Sequence, residues 1–465
     1  MKYYLQTRWQ LENNKLEYYG LRNKKNLFKN SLKLTENQVK IVKELPKELT
    51  NQEIRKVRRL INTQIVKKAA LKTIPTSIEE ARFCQGCVAN DFIIPGIEFD
   101  EKGFCPLCQT ADLHDKLISV LPVKNIISRA ENSDFDIGLF YTGGKDSTYL
   151  LYYLSKVLKL RVIAMTWEIP FMSKSAKSSI ENAKRKLDNV KFVTKKTSDE
   201  ELRKIYKKLY LLNENTCACP SLAYLLFYPL LVKYKVPYFV GGNEPVQMLG
   251  LYYNGMAPKI AYRFSNSKLA HFLINVGRVI TFRRPYKSGQ LHTIMTMKQL
   301  AYGDNWLKRI SSYKNELIEN VVLAINEVPE LLIPFKKAIK ESIKTGKIPR
   351  FIHIDLAFIA GGNYHWETIK DLIIEECGWV APEKINQGLH TSCTIESCKE
   401  YSQFQRFYYQ RSKMIPFSSL EIALASKTKS ITKEEAIKEL KEVLGFSLTE
   451  IKECQIMKDY LRISL

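Results

Sequence analysis

The chain has 465 residues, of which 45% are hydrophobic and 11% aromatic. This length and composition suit two or three globular domains with packed cores and exclude a disordered or fibrous chain. Its apolar runs are too short for a membrane span, and its N-terminus lacks the apolar core and cleavage site of a signal peptide. The sequence therefore predicts a cytoplasmic protein without a membrane partner.

The formal net charge is +24. A strongly basic surface favours polyanionic partners such as tRNA or other RNA, nucleotide-sugars or an acidic peptide. The alternative is compositional, because solvated lysine faces need no partner.

Residues 1–80 are predicted to form a small basic module in which strands precede helices. Residues 3–10 and 15–21 read as strands joined by an Asn-Asn turn, with a further short strand near residues 26–29. Thr35 and Thr50 are expected to cap two helices. This order, with LTENQVKIVKEL and LTNQEI in the helices, resembles the precursor-peptide recognition elements of ribosomal-peptide (RiPP) modifying enzymes. The resemblance implies a peptide bound by strand addition; a winged helix or helical cap is the alternative.

Residues 81–115 contain Cys84, Cys87, Cys105 and Cys108 in a CxxC…CxxC pattern. Four thiolates at this spacing suit one tetrahedral zinc ion, and the segment is too short for a core of its own. An iron–sulfur cluster is the alternative occupant. The pattern predicts a metal-stabilised knuckle.

Strands alternate with helices in residues 116–250, which predicts an α/β domain with a doubly wound parallel sheet. Residues 251–412 read as a mostly helical substrate region. Residues 413–465 read as a C-terminal helical pair, with Thr432/Glu435 and Ser447/Glu450 as capping boxes.

A glycine-rich segment, here called the glycine loop, follows the first strand of the α/β domain and opens a helix: Tyr141, Thr142, Gly143, Gly144, Lys145, Asp146, Ser147 and Thr148. The two glycines permit close approach of the backbone, and the following amides and helix dipole favour phosphate. Lys145 would supply positive charge, the hydroxyls would reach phosphate oxygens, and Asp146 could hold Mg²⁺. The spacing differs from a Walker A motif.

The glycine loop resembles the S-G-G-x-D-S loop of the PP-loop ATP pyrophosphatases, with Thr142 in place of the first serine. The resemblance implies an adenine nucleotide alpha hydrolase-like, Rossmann-like fold. It also implies adenylation of a substrate oxygen with release of pyrophosphate. By the same resemblance, Met165, Thr166 and Trp167 would lie near adenine.

The stretch CQGCVANDFIIPGIEFDEKGFCPLC resembles the opening of the N-acetyl sugar amidotransferases, a PP-loop family. A cysteine pair, an apolar helix and a strand ending in Gly-Glu-Asn follow in that family. Here the pair is Cys217 and Cys219, and the strand ends in Gly242, Asn243 and Glu244, with the last two transposed. A weaker echo lies at residues 376–382. The resemblance implies amidine formation on a sugar with ammonia, which a glutaminase partner would supply.

Cys217 and Cys219 precede a helix, whose N-terminus would lower a thiol pKa. Thiol chemistry or an iron–sulfur cluster, as in the PP-loop tRNA thiolases, competes with a second metal site and with structural cysteines. Cys393 and Cys398, after His390, could complete either arrangement.

The predicted function is adenylation of a carbonyl or amide oxygen by ATP and Mg²⁺, followed by attack of nitrogen, on a sugar or peptide acceptor. Lys145, Asp146, Cys217 and Cys219 are the predicted catalytic residues, and Asn243 and Glu244 would contact substrate or metal. One alternative is sulfur insertion into tRNA or a peptide, with a sulfur donor protein. The other is a non-catalytic nucleotide- or peptide-binding protein.

Overall fold

The computed structural model describes most of the chain. The described residues are 1–23, 30–68, 73–110, 130, 132–213, 219–241, 245–254, 268–303, 316–352, 354–384 and 387–463. The predicted site residues Cys217, Gly242, Asn243 and Glu244 lie outside this set.

Four strands of the N-terminal module precede its helices, as predicted, and a short fifth strand follows them. Its strands are β1 (Tyr4–Leu5), β2 (Trp9–Glu12), β3 (Lys15–Tyr18), β4 (Ser31–Lys33) and β5 (Val66–Lys67). Its helices are α1 (Glu36–Lys43) and α2 (Asn51–Asn62), each opened by the predicted threonine in a complete capping box. β2, β3 and β4 form one antiparallel sheet, while β1 pairs with β5. The further short strand was predicted near residues 26–29, which lie outside the described set. In the structure, the strand that follows β3 is β4 at Ser31–Lys33.

A five-stranded sheet forms the centre of the molecule. Its strands are β6 (Ile137–Phe140), β7 (Val162–Glu168), β8 (Val190–Lys196), β9 (Tyr238–Gly241) and β10 (Arg350–Phe351). They lie in the order β10-β9-β6-β7-β8, and every neighbouring pair is parallel. The chain therefore adds β7 and β8 on one side of β6. It then returns to add β9 on the other side of β6 and β10 next to β9.

Helices cover both faces of this sheet. The helices after β6 and β7 are α3 (Lys145–Tyr152), continued by a π-helical turn, and α4 (Lys174–Lys186). The two helices between β8 and β9 are α5 (Asp199–Asn213) and α6 (Cys219–Lys233). Leu139 and Ala164 belong to a buried cluster with α3 and α4, whereas Ile163 and Met165 belong to a second cluster with α5 and α6. This alternation confirms the predicted doubly wound α/β fold.

The remaining described elements are helices that surround the sheet. They are α7 (Pro245–Tyr253), α8 (Lys268–Ile280), α9 (Gln290–Tyr302), α10 (Glu316–Ile325), α11 (Pro329–Thr345), α12 (Leu356–Ile359), α13 (Trp366–Cys377), α14 (Glu396–Tyr408), α15 (Phe417–Lys427), α16 (Lys433–Glu442) and α17 (Lys452–Leu461). Within the described ranges, none of the helices has both the length and the apolar character that a bilayer crossing requires.

Two predicted capping boxes near the C-terminus have different outcomes. Thr432 and Glu435 form theirs at the start of α16. The box at Ser447 and Glu450 was wrong, because the last helix begins only at Lys452. The hydroxyl of Ser447 instead donates to the carbonyl of Thr449, which holds a turn before the helix.

Arg8 joins the N-terminal module to the rest of the molecule. Its side chain is buried, and its guanidinium donates to the backbone carbonyls of Tyr19, Phe407 and Tyr408. The same guanidinium lies over the Phe407 ring. The module therefore has its own core but is anchored to the end of α14.

Candidate nucleotide site and metal centre

The glycine loop lies where the winding direction of the sheet reverses. It follows β6, whose two neighbours β7 and β9 are reached by connections running in opposite directions. At such a point the connections separate and leave a crevice at the carboxyl ends of the strands, where doubly wound folds bind ligands. The topology thus places the predicted phosphate loop at the position expected for a ligand.

Gly143 is required by the backbone geometry. Gly143 has a φ of +73°, and a Cβ on it would lie 2.5 Å from the carbonyl oxygen of Ala176 in α4. Gly144 is the N-cap of α3. A side chain at the first position would force the loop away from α4, so the close approach of loop and helix depends on glycine.

Hydroxyl groups brace the glycine loop from inside. The hydroxyls of Thr142 and Ser147 lie 3.1 Å apart, and the Ser147 hydroxyl accepts from the Thr142 amide. The Thr148 hydroxyl donates to the Gly144 carbonyl at 2.8 Å. Thr166, at the end of β7, donates to the Tyr141 carbonyl at 2.8 Å. These bonds fix the turn from β6 into α3, whose positive dipole end then faces the crevice.

Lys145 is enclosed rather than exposed. Its side chain is 1% accessible, and its ammonium pairs with the carboxylate of Asp146. The ammonium also lies 4.6 Å from the ring centre of Tyr364 and 4.7 Å from that of Trp366. The Tyr364 hydroxyl donates to the same Asp146 oxygen at 2.7 Å. Lys145 therefore neutralises Asp146 in this arrangement, and its contact with phosphate stays a prediction.

Two distant segments complete the wall around the glycine loop. The Trp379 indole donates to the Gly143 carbonyl at 3.1 Å, and the Thr391 hydroxyl accepts from the Lys145 amide at 3.1 Å. The backbone after Thr391 is tied to the segment after β7, where the amide of Ser173 donates to the Ser392 carbonyl. Trp167, predicted near adenine, donates to the Thr197 hydroxyl at 3.4 Å.

A polar cluster lies behind Thr391, in α14, α15 and the loop before them. It comprises His390, Glu396, Lys399, Glu400, Ser418 and Glu421. The His390 Nε2 lies 3.0 Å from the Ser418 hydroxyl, 3.6 Å from a Glu400 oxygen and 3.5 Å from a Glu421 oxygen. One imidazole nitrogen thus faces two buried carboxyl groups.

Burial divides the acids of this cluster into two kinds. It raises the pKa of Glu400 to about 8 and that of Glu421 to about 7. Burial would also raise the pKa of Glu396, but the Lys399 ammonium and His390 hold it at about 2. Burial lowers the pKa of His390 to about 4. Near neutral pH the cluster therefore has a neutral imidazole beside Glu400, which is mainly protonated, and Glu421, which titrates close to neutrality.

Among the described residues, no three of the cysteines outside the knuckle come together as a metal-binding group. Cys219 is the first residue of α6 and is half-buried. Cys393 is half-buried and pairs through its backbone with Met172, close to the glycine loop. Cys398 is fully buried in the same core cluster as Cys454. Cys393 packs against the core cluster that contains Cys398, and the hypothesis that the two act together stays a prediction.

The four knuckle cysteines converge on one point. Their sulfur atoms all lie within 4.8 Å of one another, with Cys84 and Cys108 3.7 Å apart and Cys87 and Cys105 3.6 Å apart. The amides of Gly86 and Cys105 donate to the Cys84 sulfur, and the Ala89 amide donates to the Cys87 sulfur. Such bonds stabilise thiolates, so the knuckle is a candidate metal centre.

Several residues of the site lacked a signal in the sequence. Tyr364 and Trp366 look like ordinary core aromatics, and Glu400 and Glu421 look like the polar face of a helix. Trp379 had a weak signal, because it falls within the echo at residues 376–382. Thr391 lies between His390 and Cys393, and its part in holding the glycine loop was not predicted.

Comparison with known proteins gives little further information. No family model and no curated protein matches the chain. Among solved structures, it is similar to the U34-tRNA thiolase NcsA from Methanococcus maripaludis, which was determined with its [4Fe-4S] cluster. The identity is 13% over 83% of this chain and 99% of that chain, with a TM-score of 0.29. This likeness is too distant to carry an argument, and the fold rests on the sheet described above.

Proposed function

We propose that this protein is an ATP-dependent transferase that adenylates an acceptor oxygen. The observation that carries the proposal is the glycine loop at the switch point of the sheet, with Gly143 pressed against α4. A carbonyl or amide oxygen would attack the α-phosphorus of ATP, and pyrophosphate would leave. The loop amides, the dipole of α3 and Mg²⁺ held by Asp146 would stabilise the charge that develops on phosphate.

An assay of ATP cleavage tests this first step. Labelled ATP and Mg²⁺ are incubated with the full chain and with candidate acceptors, either N-acetylated sugars or acidic peptides. We expect AMP and pyrophosphate, and we expect Asp146→Asn to abolish them. Asp199→Asn is the matched control, because Asp199 pairs with Arg203 at the exposed start of α5. Formation of ADP and phosphate, or equal AMP formation by Asp146→Asn, would refute the proposal.

For the second step, we propose nitrogen as the first candidate nucleophile. Ammonia would attack the adenylated carbon, the carbon–oxygen bond would break and AMP would leave. The proton lost by nitrogen needs an acceptor, and the polar cluster beside Thr391 offers the neutral imidazole of His390 and the ionised form of Glu421, whose pKa is about 7. A glutaminase partner would supply the ammonia.

Sulfur transfer is the second candidate. It is favoured by Cys219, which opens α6, and by Cys393, two residues from the Thr391 that holds the glycine loop. Mass spectrometry of products formed with labelled ammonium or with sulfide separates the two candidates. Sulfur transfer predicts that Cys219→Ser abolishes product while Cys454→Ser does not; nitrogen transfer predicts that both variants remain active.

For the knuckle we propose one structural zinc ion. Tetrahedral zinc with Zn–S bonds of about 2.3 Å sets its sulfur atoms about 3.8 Å apart, close to the observed separations. The cysteine ligands of a four-iron cluster bind different corner irons, and sulfur atoms this close leave room for a single central ion.

A further inference from the structure

Helix α8 presents its apolar side to solvent. None of its residues is buried. Phe272 is 63% exposed, and Phe282, just beyond the helix, is fully exposed. The exposed apolar residues recur at helical spacing and form one stripe, which comprises Leu269, Phe272, Leu273, Val276, Val279 and Ile280. A contiguous apolar surface of this kind marks an interaction site rather than a random surface feature.

The polar side of α8 is occupied by the segment that follows it. Asn275 accepts from the Tyr286 amide at 2.8 Å and donates to the Tyr286 carbonyl at 2.9 Å. Arg278 donates to the Arg284 carbonyl at 2.7 Å, and its guanidinium lies 3.7 Å from the Tyr286 ring centre. Residues 283–287 thus fold back along the polar side and fix the apolar stripe outward.

The surroundings of the stripe are positively charged. Between Glu244 and Asp304 the sequence contains no acidic residue. Lys268 lies at the start of the helix, while Arg283 and Lys287 follow its end, and all three are exposed. An apolar stripe with basic residues at both ends has the character of a helix that lies in the interface of an anionic bilayer.

We propose that α8 binds the surface of a membrane containing anionic phospholipids. The stripe and Phe282 enter the boundary of the acyl chains, while Lys268, Arg283 and Lys287 reach the headgroups. A helix of 13 residues is about 20 Å long, shorter than the hydrocarbon core, so it lies in the membrane plane. A convex ridge with a fully exposed phenylalanine needs no matching groove in a bilayer, which favours lipid over a folded partner.

This proposal departs from the prediction of no membrane partner, which rested on the absence of a span and a signal peptide. Neither feature is needed for interfacial binding. The proposal is independent of the proposed ATP chemistry. If both hold, the ATP-dependent reaction takes place at a membrane surface.

Co-sedimentation of the full chain with vesicles tests the proposal. Vesicles of phosphatidylcholine are compared with vesicles of increasing phosphatidylglycerol content at low and high salt. We expect binding that rises with anionic lipid and falls with salt. Phe272→Asp should lower the partition coefficient by about tenfold or more. The matched control is Phe358→Asp, because Phe358 is 80% exposed on α12.

A charge variant tests the headgroup contacts separately. Arg283→Glu should weaken binding to anionic vesicles only, whereas Arg185→Glu, on the exposed side of α4, should not. Three results would overturn the proposal: no binding to any vesicle, equal binding to neutral and anionic vesicles, or equal losses in Phe272→Asp and Phe358→Asp. A dimer in light scattering that Phe272→Asp dissociates would assign the stripe to a second copy instead.

Discussion

The cysteine knuckle and the glycine loop are both short motifs, but the structure builds them differently. All four sulfur atoms of the knuckle come from residues 84–108, and the amides that stabilise them come from the same segment. The glycine loop takes its shape from Ala176, Tyr364, Trp379 and Thr391, three of which lie more than 200 residues away in sequence. Spacing therefore describes the first motif nearly completely and the second only in part.

The largest effect should come from removing a knuckle ligand. Cys105→Ser leaves three sulfurs around the metal position, and structural zinc contributes on the order of 10 kcal/mol or more to folding in small zinc domains. We expect a metal content near zero, measured by elemental analysis, and a lower unfolding temperature. Cys454→Ser removes a buried thiol elsewhere and should keep the metal. Normal metal content in Cys105→Ser would show that the knuckle is not a four-sulfur site.

The next effect tests the dependence of the glycine loop on α4. Gly143→Ala brings a Cβ against the Ala176 carbonyl, so the loop must shift. Displacement of a catalytic group by about 1 Å can cost about a hundredfold in rate, and we expect AMP formation to fall by that amount. Gly361→Ala is the control, because Gly361 has a similar φ of +78° with open space around it. Equal losses in both variants would attribute the effect to backbone strain alone.

The same difference explains how much the sequence could predict. Alternating strands and helices, the capping threonines and the cysteine spacing are local, and the fold and the knuckle were predicted from them. The enclosure of Lys145 by Tyr364 and Trp366 arises from packing between α3 and the start of α13. The polar cluster requires α14 and α15 to meet, which no local pattern encodes. Ser447 shows the limit of local rules, since its hydroxyl bonds within a turn instead of capping a helix.

A smaller effect on AMP formation is expected from Thr391, which contacts the glycine loop from a distant part of the sequence. Thr391→Val keeps the shape of the side chain but removes the acceptor for the Lys145 amide. A hydrogen bond of this kind contributes about 1 kcal/mol, so AMP formation should fall by about fivefold. Thr394→Val removes a hydroxyl that donates to the Phe171 carbonyl in the same segment and should have little effect. If the two variants behave alike, Thr391 has no special part in holding the loop.

The smallest effect concerns the protonation of Glu400 in the polar cluster behind Thr391, measured as a change in the unfolding temperature with pH. Burial raises the pKa of Glu400 from 4.5 to about 8, so the folded state binds this proton more tightly than the unfolded state. The resulting stability is complete below the unfolded pKa and is lost as the pH rises through about 8. Glu400→Gln imitates the protonated form, and we expect its unfolding temperature to fall less than that of the wild type between about pH 5.5 and about pH 8.5.

Glu435 provides the opposite case for this measurement. The Thr432 hydroxyl and amide lower its pKa, so it stays ionised across that pH range in both states. Glu435→Gln should therefore lower the unfolding temperature equally at both pH values. A Glu400→Gln variant with the pH dependence of the wild type would mean that Glu400 is ionised in the folded protein. Glu400 would then be an ionised carboxylate near neutral pH, like Glu396, and its burial in the polar cluster would not raise its pKa.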